Sequence, residues 1–448
     1  MTDNPKALFS SRTSTREFLS YKAAAAARSA RYDDLSASTL ADLSEAFPGI
    51  LFGTVFITQA LESFRSTPSF ASMAIRIDGG VESGEKPSTE AAEARVDVLE
   101  TLDSLCGTHR GVWGLIGENF FGAFFPDLQD AECMNLARTL QRDLADIRSE
   151  TITIGVAAYP TLSDERDRVL ENARKALDHA AFFGPNSTAA FDSVSLNISG
   201  DILYQDGDLK GAIEEYHRAL EIDPSNVNVH NSLGVCHGDL ASYEEALASF
   251  ESVMRLDANE IMAPYNTGLV LALTDHRVKA LEYFTKALDI RQDVFEVVYQ
   301  MGRCHLALEQ YPEAKGFIDK AIRLKPDSAS ALSCIGQYYA ATNEQEKAIE
   351  AFESAIKKNP NDADALSGIG HLYDLRDENA DIALLFCKQS IDISPENGLF
   401  HQRLGQLYLK RHIDDKAMDA FRTATDLGCD ATEWIETIQD RRNDDTSH

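Results

Sequence analysis

Residues 234–250 read GVCHGDLASYEEALASF. Gly234 opens the stretch, Ala246 follows at the twelfth residue after it, and Phe250 lies one helical turn further on. The same phase recurs along the chain. Gly200, Gly234, Gly268, Gly302, Gly336, Gly370 and Gly405 stand at steps of 34 residues five times and 35 once. Ala212, Ala246, Ala280, Ala314, Ala348, Ala383 and Ala417 keep the phase, as do Tyr216, Phe250, Phe284, Ile318, Phe352, Cys387 and Phe421. Pro224, Pro326, Pro360 and Pro395 close several units. A period of this length marks a stacked repeat. Each unit reads as two antiparallel helices. A glycine inside a helix costs about 1 kcal/mol against alanine, so glycines in register need compensation. Close approach of the second helix at its alanine supplies it, and the following aromatic fills the next gap on the same face. Proline ends the second helix, because it lacks an N–H and clashes with the preceding turn.

This pattern resembles the tetratricopeptide repeat family over seven units, residues 193–431. The family's first large aromatic is replaced by Leu196, His230, Pro264, Val298, Leu332, Leu366 and His401. Residues 432–448, with Trp434 and Ile438, read as a capping helix and polar tail.

The chain of 448 residues carries a net charge of −30. Residues 1–192 hold 28 acids and 18 bases, net −10; the remainder holds 44 and 24, net −20. Nucleic-acid binding needs a basic footprint, and this charge argues against it. No apolar run is long enough to span a bilayer, so no membrane segment is expected. Cys106, Cys133, Cys236, Cys304, Cys334, Cys387 and Cys429 are scattered, odd in number and without a CxxC pair, which fits free thiols in a reducing cytoplasm.

The first 192 residues carry a different pattern. Residues 1–44 read as a helical lead-in, with a helix at Thr15–Arg31 and another beginning near Leu35. Gly53–Phe64 reads as helix. Met73, Ile75 and Ile77 alternate within Phe70–Ile77, as in a half-buried strand. A glycine-bearing loop, Gly79–Pro87, leads to a helix at Thr89–Leu105. Val112–Ile116 and Phe120–Phe125 flank Gly117-Glu118-Asn119, a hairpin signal. A helix at Asp130–Ile147, a strand at Ile152–Tyr159, a helix at Asp164–Phe183 and an edge strand near Ala189–Phe191 complete an α+β domain with a βαββαβ kernel.

Gly117-Glu118-Asn119-Phe120 resembles the signature hairpin of GGDEF domains, the diguanylate cyclases. Ile152-Thr153-Ile154-Gly155-Val156-Ala157 before Tyr159-Pro160 is similar to that family's next landmark, and Ala173–Leu177 with Gly184 and Asn186 to the one after. Glu45–Ile50, with Phe56 beyond, sits where the family's entry motif belongs. The resemblance spans residues 45–192 and rests on order and spacing together. It implies a cleft in which strand and hairpin carboxylates hold two divalent cations against GTP phosphates. The sequence departs from that chemistry. The strand position is Arg76, a fixed positive charge, with Asp78 nearby. The hairpin reads Ile116, Gly117, Glu118 and Asn119, so its acid is lost to a neutral amide. The phosphate-clamping positions are Ala181 and Pro185, and the guanine-contacting positions align near Gly84 and Glu85. The inhibitory product motif, aligned at Gly107–Arg110, is absent. An inactive domain follows, since losing the ligands removes both positioning and charge stabilisation. No catalytic residue, metal site or cofactor is assigned. Arg76, Asp78, Gly117, Glu118 and Asn119 mark a degenerate nucleotide cleft.

Cys106 and His109 lack a second pair at metal spacing, and no HExxH, GxSxG or P-loop occurs. Gly79, Gly80 and Gly84 read as a turn. The functional expectation rests on the repeats, whose first helices line a concave surface in such arrays. As the family resemblance implies, that groove takes Asn231, Tyr265, Tyr299, Arg303, Gln337, His371, Gln402 and Gln406. Tyrosine supplies amphipathic area, and amides bond both backbone groups of an extended peptide. The Lys- and Asn-rich clamp of chaperone-tail binders is not reproduced. The sequence therefore points to a cytoplasmic bacterial signalling adaptor that binds a protein or peptide through the repeats. Its inactive GGDEF-like domain, 45–192, docks, senses or forms a homodimer. The alternatives are a nucleotide or cyclic di-GMP binding regulator, or a weak diguanylate cyclase using GTP.

Overall fold

The computed structural model describes residues 43–79, 89–117 and 119–445, which form two compact units, 43–257 and 258–445. The expected helix at Thr15–Arg31, nearly all of the lead-in, most of the Gly79–Pro87 loop, and Glu118 lie outside the described residues.

The first unit begins with α1 (Gly53–Ser63), β1 (Phe70–Ile77), α2 (Thr89–His109), β2 (Val112–Gly117), β3 (Phe120–Pro126), α3 (Asp130–Ala145), β4 (Ile152–Tyr159), α4 (Val169–Phe182) and β5 (Thr188–Ala190). The strands lie in the order β2-β3-β1-β4-β5. β1 is antiparallel to both β3 and β4, and only β4 and β5 run parallel. This is the split βαβ arrangement expected of a βαββαβ kernel. β1 is buried on both faces, not half-buried. Met73, Ile75 and Ile77 pack with Leu99 and Leu102 of α2 and Ala137 and Leu140 of α3. Phe70 and Ala74 face Phe56 of α1 and Ala173 and Leu177 of α4. Alternation in the sequence marked one face only, because the other is filled by alanine and serine as well as phenylalanine. Helix α4 crosses β4 so closely that a Cβ on Gly155 would lie 2.0 Å from the Ala173 carbonyl oxygen and 2.1 Å from the Leu177 nitrogen. No other residue fits there.

Two helix pairs complete this unit: α5 (Ser193–Gln205) with α6 (Leu209–Ile222), and α7 (Val227–Asp239) with α8 (Tyr243–Leu256). They do not form a separate core. Leu196, Ala212, Tyr216, Ala219, Val229, Leu233 and Cys236 share one buried apolar cluster with the sheet and α4.

The second unit holds five more pairs: α9 (Met262–Leu273) with α10 (Arg277–Ile290), α11 (Phe295–Ala307) with α12 (Tyr311–Leu324), α13 (Ala329–Ala341) with α14 (Gln345–Lys358), α15 (Ala363–Leu375) with α16 (Ala380–Ile393), and α17 (Gly398–Lys410) with α18 (Asp414–Asp426). Helix α19 (Thr432–Asp445) follows. Trp434 stacks on Phe421 at 5.6 Å, and Ile438 is fully buried beside it.

At Gly200, Gly234, Gly268, Gly336 and Gly405 the repeated glycine meets the aromatic of the second helix, whereas Gly302 meets Ile318 and Gly370 meets Cys387 and the Ala383 carbonyl. A Cβ at Gly200 would lie 2.4 Å from the Tyr216 ring; at Gly234, Gly268, Gly336 and Gly405 it would lie 2.5–2.6 Å from Phe250, Phe284, Phe352 and Phe421. The ring rests flat where a side chain would stand, so glycine and aromatic are one packing device. All seven cysteines are free, and six are buried.

Candidate functional site

Two places carry side chains whose arrangement calls for a chemical reading. The first is the C-terminal end of β1. Arg76 stands there half-buried, in register with Phe120 and Thr153. Two α4 residues one turn apart, Arg174 and Asp178, face the same end. Burial raises the Asp178 carboxyl, and the nearby charges of Arg174 and then Arg76 pull it back down. The Arg174 Nε is buried and has no hydrogen-bond partner among the described residues. Two guanidiniums around one carboxylate suit an anion rather than a pair of divalent cations.

Asp78 is already engaged. It accepts hydrogen bonds from Thr151 Oγ1 at 2.7 Å, Thr153 Oγ1 at 2.6 Å and the Asn186 N–H at 2.8 Å. The carboxylate thus ties β4 to the loop after α4. A metal ion would have to displace three donors. Asn119 is engaged as well: its Oδ1 accepts from Arg95 Nε at 3.1 Å, and its carbonyl from the Ile77 N–H at 3.2 Å. Gly117 has room for a side chain, the nearest atom to an added Cβ being Phe120 Cβ at 3.5 Å. Ile116 points into the core against Phe56 and Gly122, not toward a ligand. Among the described residues no cluster of His, Cys, Asp and Glu has the make-up of a metal site.

The second place is the row of inner positions on first helices. Here the structure sorts the expected residues. Asn231 and Tyr265 are only 3% and 5% exposed, so neither presents a free surface. Tyr265 packs against Phe284 at 6.1 Å. Position within the repeat does not fix exposure, because the size of neighbouring side chains decides how far each one sinks. Tyr299, Arg303, Gln337, His371, Gln402 and Gln406 remain half-buried. Tyr299 stacks on Phe295 at 5.8 Å, and the Arg303 guanidinium lies over its ring at 5.7 Å. Gln402 Nε2 donates to the Asp430 carbonyl at 2.8 Å. Burial, and then the charge of Arg403, pull the His371 imidazole down to about 4, so it is neutral at ordinary pH.

Sequence reasoning missed Arg403. It sits on α17, and its Nη1 donates to the Ser367 hydroxyl on α15 at 2.9 Å. A signal was present. The residues at its phase in the other units are Ile198, Ser232, Asn266, Gln300, Cys334 and Gly368, none of them charged.

Models of this repeat type match residues 200–241 and 336–374, described as TPR repeat, and 277–334, described as tetratricopeptide repeat. These paired helices are tetratricopeptide repeats. A BBSome complex member BBS4 homolog from Drosophila melanogaster is 24% identical over 115 residues, 26% of this chain and 24% of that protein. The chain thus spans about a quarter of that relative's length. A tetratricopeptide repeat protein from Parabacteroides merdae, of known structure, is 20% identical over 55% of this chain and 96% of its own, with a TM-score of 0.47. YrrB, described as a TPR protein with an unusual peptide-binding site, is 23% identical over 42% of this chain and 96% of its own, with a TM-score of 0.34. No helix among the described residues is long and apolar enough to cross a membrane.

Proposed function

We propose that the protein is a non-catalytic adaptor whose tetratricopeptide repeats capture an extended segment of a partner protein. Such repeats present extended binding surfaces rather than catalytic machinery. The observation that carries the reading is the half-buried row Tyr299, Arg303, Gln337, His371 and Gln406 on the successive first helices α11, α13, α15 and α17. An aromatic, a cation, amides and a neutral imidazole at one-repeat intervals offer apolar area together with donors and acceptors for a peptide backbone. Asn231 and Tyr265, being buried, serve packing in this reading. The sheet domain, residues 45–192, is a GGDEF-like platform for docking, dimerisation or sensing, placed with the repeats in the cytoplasm. Arg76 in place of a carboxylate, the engaged Asp78 and the neutral Asn119 support its being inactive.

Two experiments test this. The Tyr299→Ala, Arg303→Ala double variant is expected to weaken partner capture at least about tenfold, a loss of roughly 1.4 kcal/mol, without changing the thermal melt. Undiminished capture by the folded variant removes the groove assignment. Incubation with GTP and magnesium is expected to give no cyclic di-GMP, and product formation overturns the inactive reading. A second reading, an anion-responsive sensor, is favoured by one observation: the buried, unpartnered Arg174 Nε beside Arg76 and Asp178. Saturable heat on titrating GTP or cyclic di-GMP, lost in Arg76→Gln, supports that reading.

A further inference from the structure

The first two repeats gather acceptors, and no cation, on their inner face. Helices α5 and α7 carry no lysine or arginine. Asn197 and Asp201 stand one turn apart on α5, and Asn231 and Val235 take the same two phases on α7. All four are only 1–3% exposed, whereas Tyr299 and Arg303, at those phases on α11, are half-buried. The Asp201 carboxylate accepts from Tyr216 Oη at 2.7 Å and from Ser232 Oγ of α7 at 3.3 Å. The Asp239 carboxylate at the end of α7 accepts from the Tyr204 hydroxyl on α5. The amide oxygens of Asn197 and Asn231 are buried and have no hydrogen-bond partner among the described residues. Neighbouring bulk can sink an amide, but it supplies no donor, and an acceptor withdrawn from water without one is costly.

Whatever covers this face must therefore bring donors, and two carboxylates beside the amides favour cationic ones. The chain itself holds such a segment. Residues 12–31 carry Arg12, Arg16, Lys22, Arg28 and Arg31 against Glu17 alone, net +4 in a chain of net −30. Phe18, Leu19 and Tyr21 lie within it and match the apolar Val235. Residues 32–42 join it to buried Leu43 and extend up to about 40 Å, the breadth of a unit this size. We infer that residues 12–31 dock on the inner face of the first two repeats of the same chain, their guanidinium and ammonium groups donating to Asn197, Asn231, Asp201 and Asp239. The segment thus occupies these two repeats in cis and leaves the half-buried row from Tyr299 onward to an outside partner. The inference does not depend on that partner's capture.

Trypsin cleaves after lysine and arginine, so the segment reports its own docking. In the full chain, cleavage between Arg12 and Arg31, followed by mass spectrometry, is expected to be at least about tenfold slower than in a free peptide of residues 10–33. Asp239→Lys places a repelling charge on the receiving face and is expected to bring cleavage close to the rate of the peptide. Equal rates in the unaltered chain and the peptide overturn the inference, as does protection that survives Asp239→Lys in a folded variant. A second measurement leaves the repeats unaltered. Phe18 is replaced by a benzophenone amino acid, and isotopically heavy and light full chains are mixed and irradiated. The expected adduct joins position 18 to α5 or α7 within one chain. An adduct to the sheet domain, an adduct to a second copy, or no adduct overturns the inference. This measurement stays decisive even if Asp239→Lys fails to fold.

Discussion

His371 shows how a single side chain reports its surroundings. Its imidazole is pulled from the usual value of 6.5 to about 4, chiefly by burial and secondarily by Arg403. The folded protein therefore holds the ring neutral over a pH range in which the unfolded chain protonates it. The unfolded state binds more protons there, so stability falls as the pH drops from 6.5 toward 4 and is unaffected above that window. The expected loss between pH 7 and pH 5 is at most about 2 kcal/mol, less to the extent that solvent reaches the half-buried ring. Urea unfolding at the two pH values measures it, and His371→Asn should remove this share of the pH dependence. An unchanged dependence in the variant contradicts the burial of a neutral ring. At this scale the sequence was only partly legible. Arg76 and Asn119 could be read as departures from a metal site. That Asp78 is spent on Thr151, Thr153 and Asn186 could not, because those donors come from strand and loop segments distant in the chain.

Between elements, the sheet domain and the first helix pair are joined by charge as well as by apolar packing. Lys175 on α4 reaches both oxygens of Glu215 on α6 at 2.8 Å, and its side chain is 5% exposed. Arg218 on α6 binds Glu215 at 3.1 Å and Asp164, ahead of α4, at 2.7 Å. Removing Lys175 leaves Glu215 buried with Arg218 as its remaining counter-charge. Lys175→Met alone should therefore destabilise the first unit by less than the roughly 3–5 kcal/mol of a fully orphaned buried charge, measured by urea unfolding. The double variant Lys175→Met, Glu215→Leu should recover much of that loss, because desolvation of a buried pair offsets most of its attraction. A double variant no better than the single would show that Arg218 and Asp164 depend on Glu215. Periodicity made the helix pairs legible, since each is a local pattern. It did not show that most of the repeated glycines, such as Gly200 and Gly234, pack first on the ring, Tyr216 or Phe250, because that contact is made between helices. It also missed the turns inside the pairs. Ala241, Asp275, Glu309, Asn343, Asp377 and His412 adopt left-handed backbone where glycine is usual, and Ala241 and Glu309 carry no sequence signal for it.

For the molecule as a whole, a sequence reading splits the chain where the repeats begin, at residue 193. The compact units divide after Asp257, with two repeats on the sheet's side. The reason is the shared cluster in which Ala173, Ala176 and Leu177 of α4 meet Leu196, Ala212, Tyr216 and Val229. Composition cannot reveal such a cluster, because every residue in it also fits an independent repeat. A fragment ending at Asp257 should unfold cooperatively and remain soluble. One ending at Asp192 should expose the α4 face and the Lys175 charge, and gel filtration should show it aggregated. A monomeric, cooperatively folded fragment ending at Asp192 would contradict the shared core.

Site-specific photo-crosslinking in cells tests the adaptor reading most directly, with a benzophenone residue placed at Gln337 on the inner row and, separately, at exposed Glu350 on the second helix α14. The account predicts a discrete protein adduct from position 337, mapping to one extended segment of the partner, and none from position 350. Adducts of equal yield from both positions, or from position 350 alone, would contradict it.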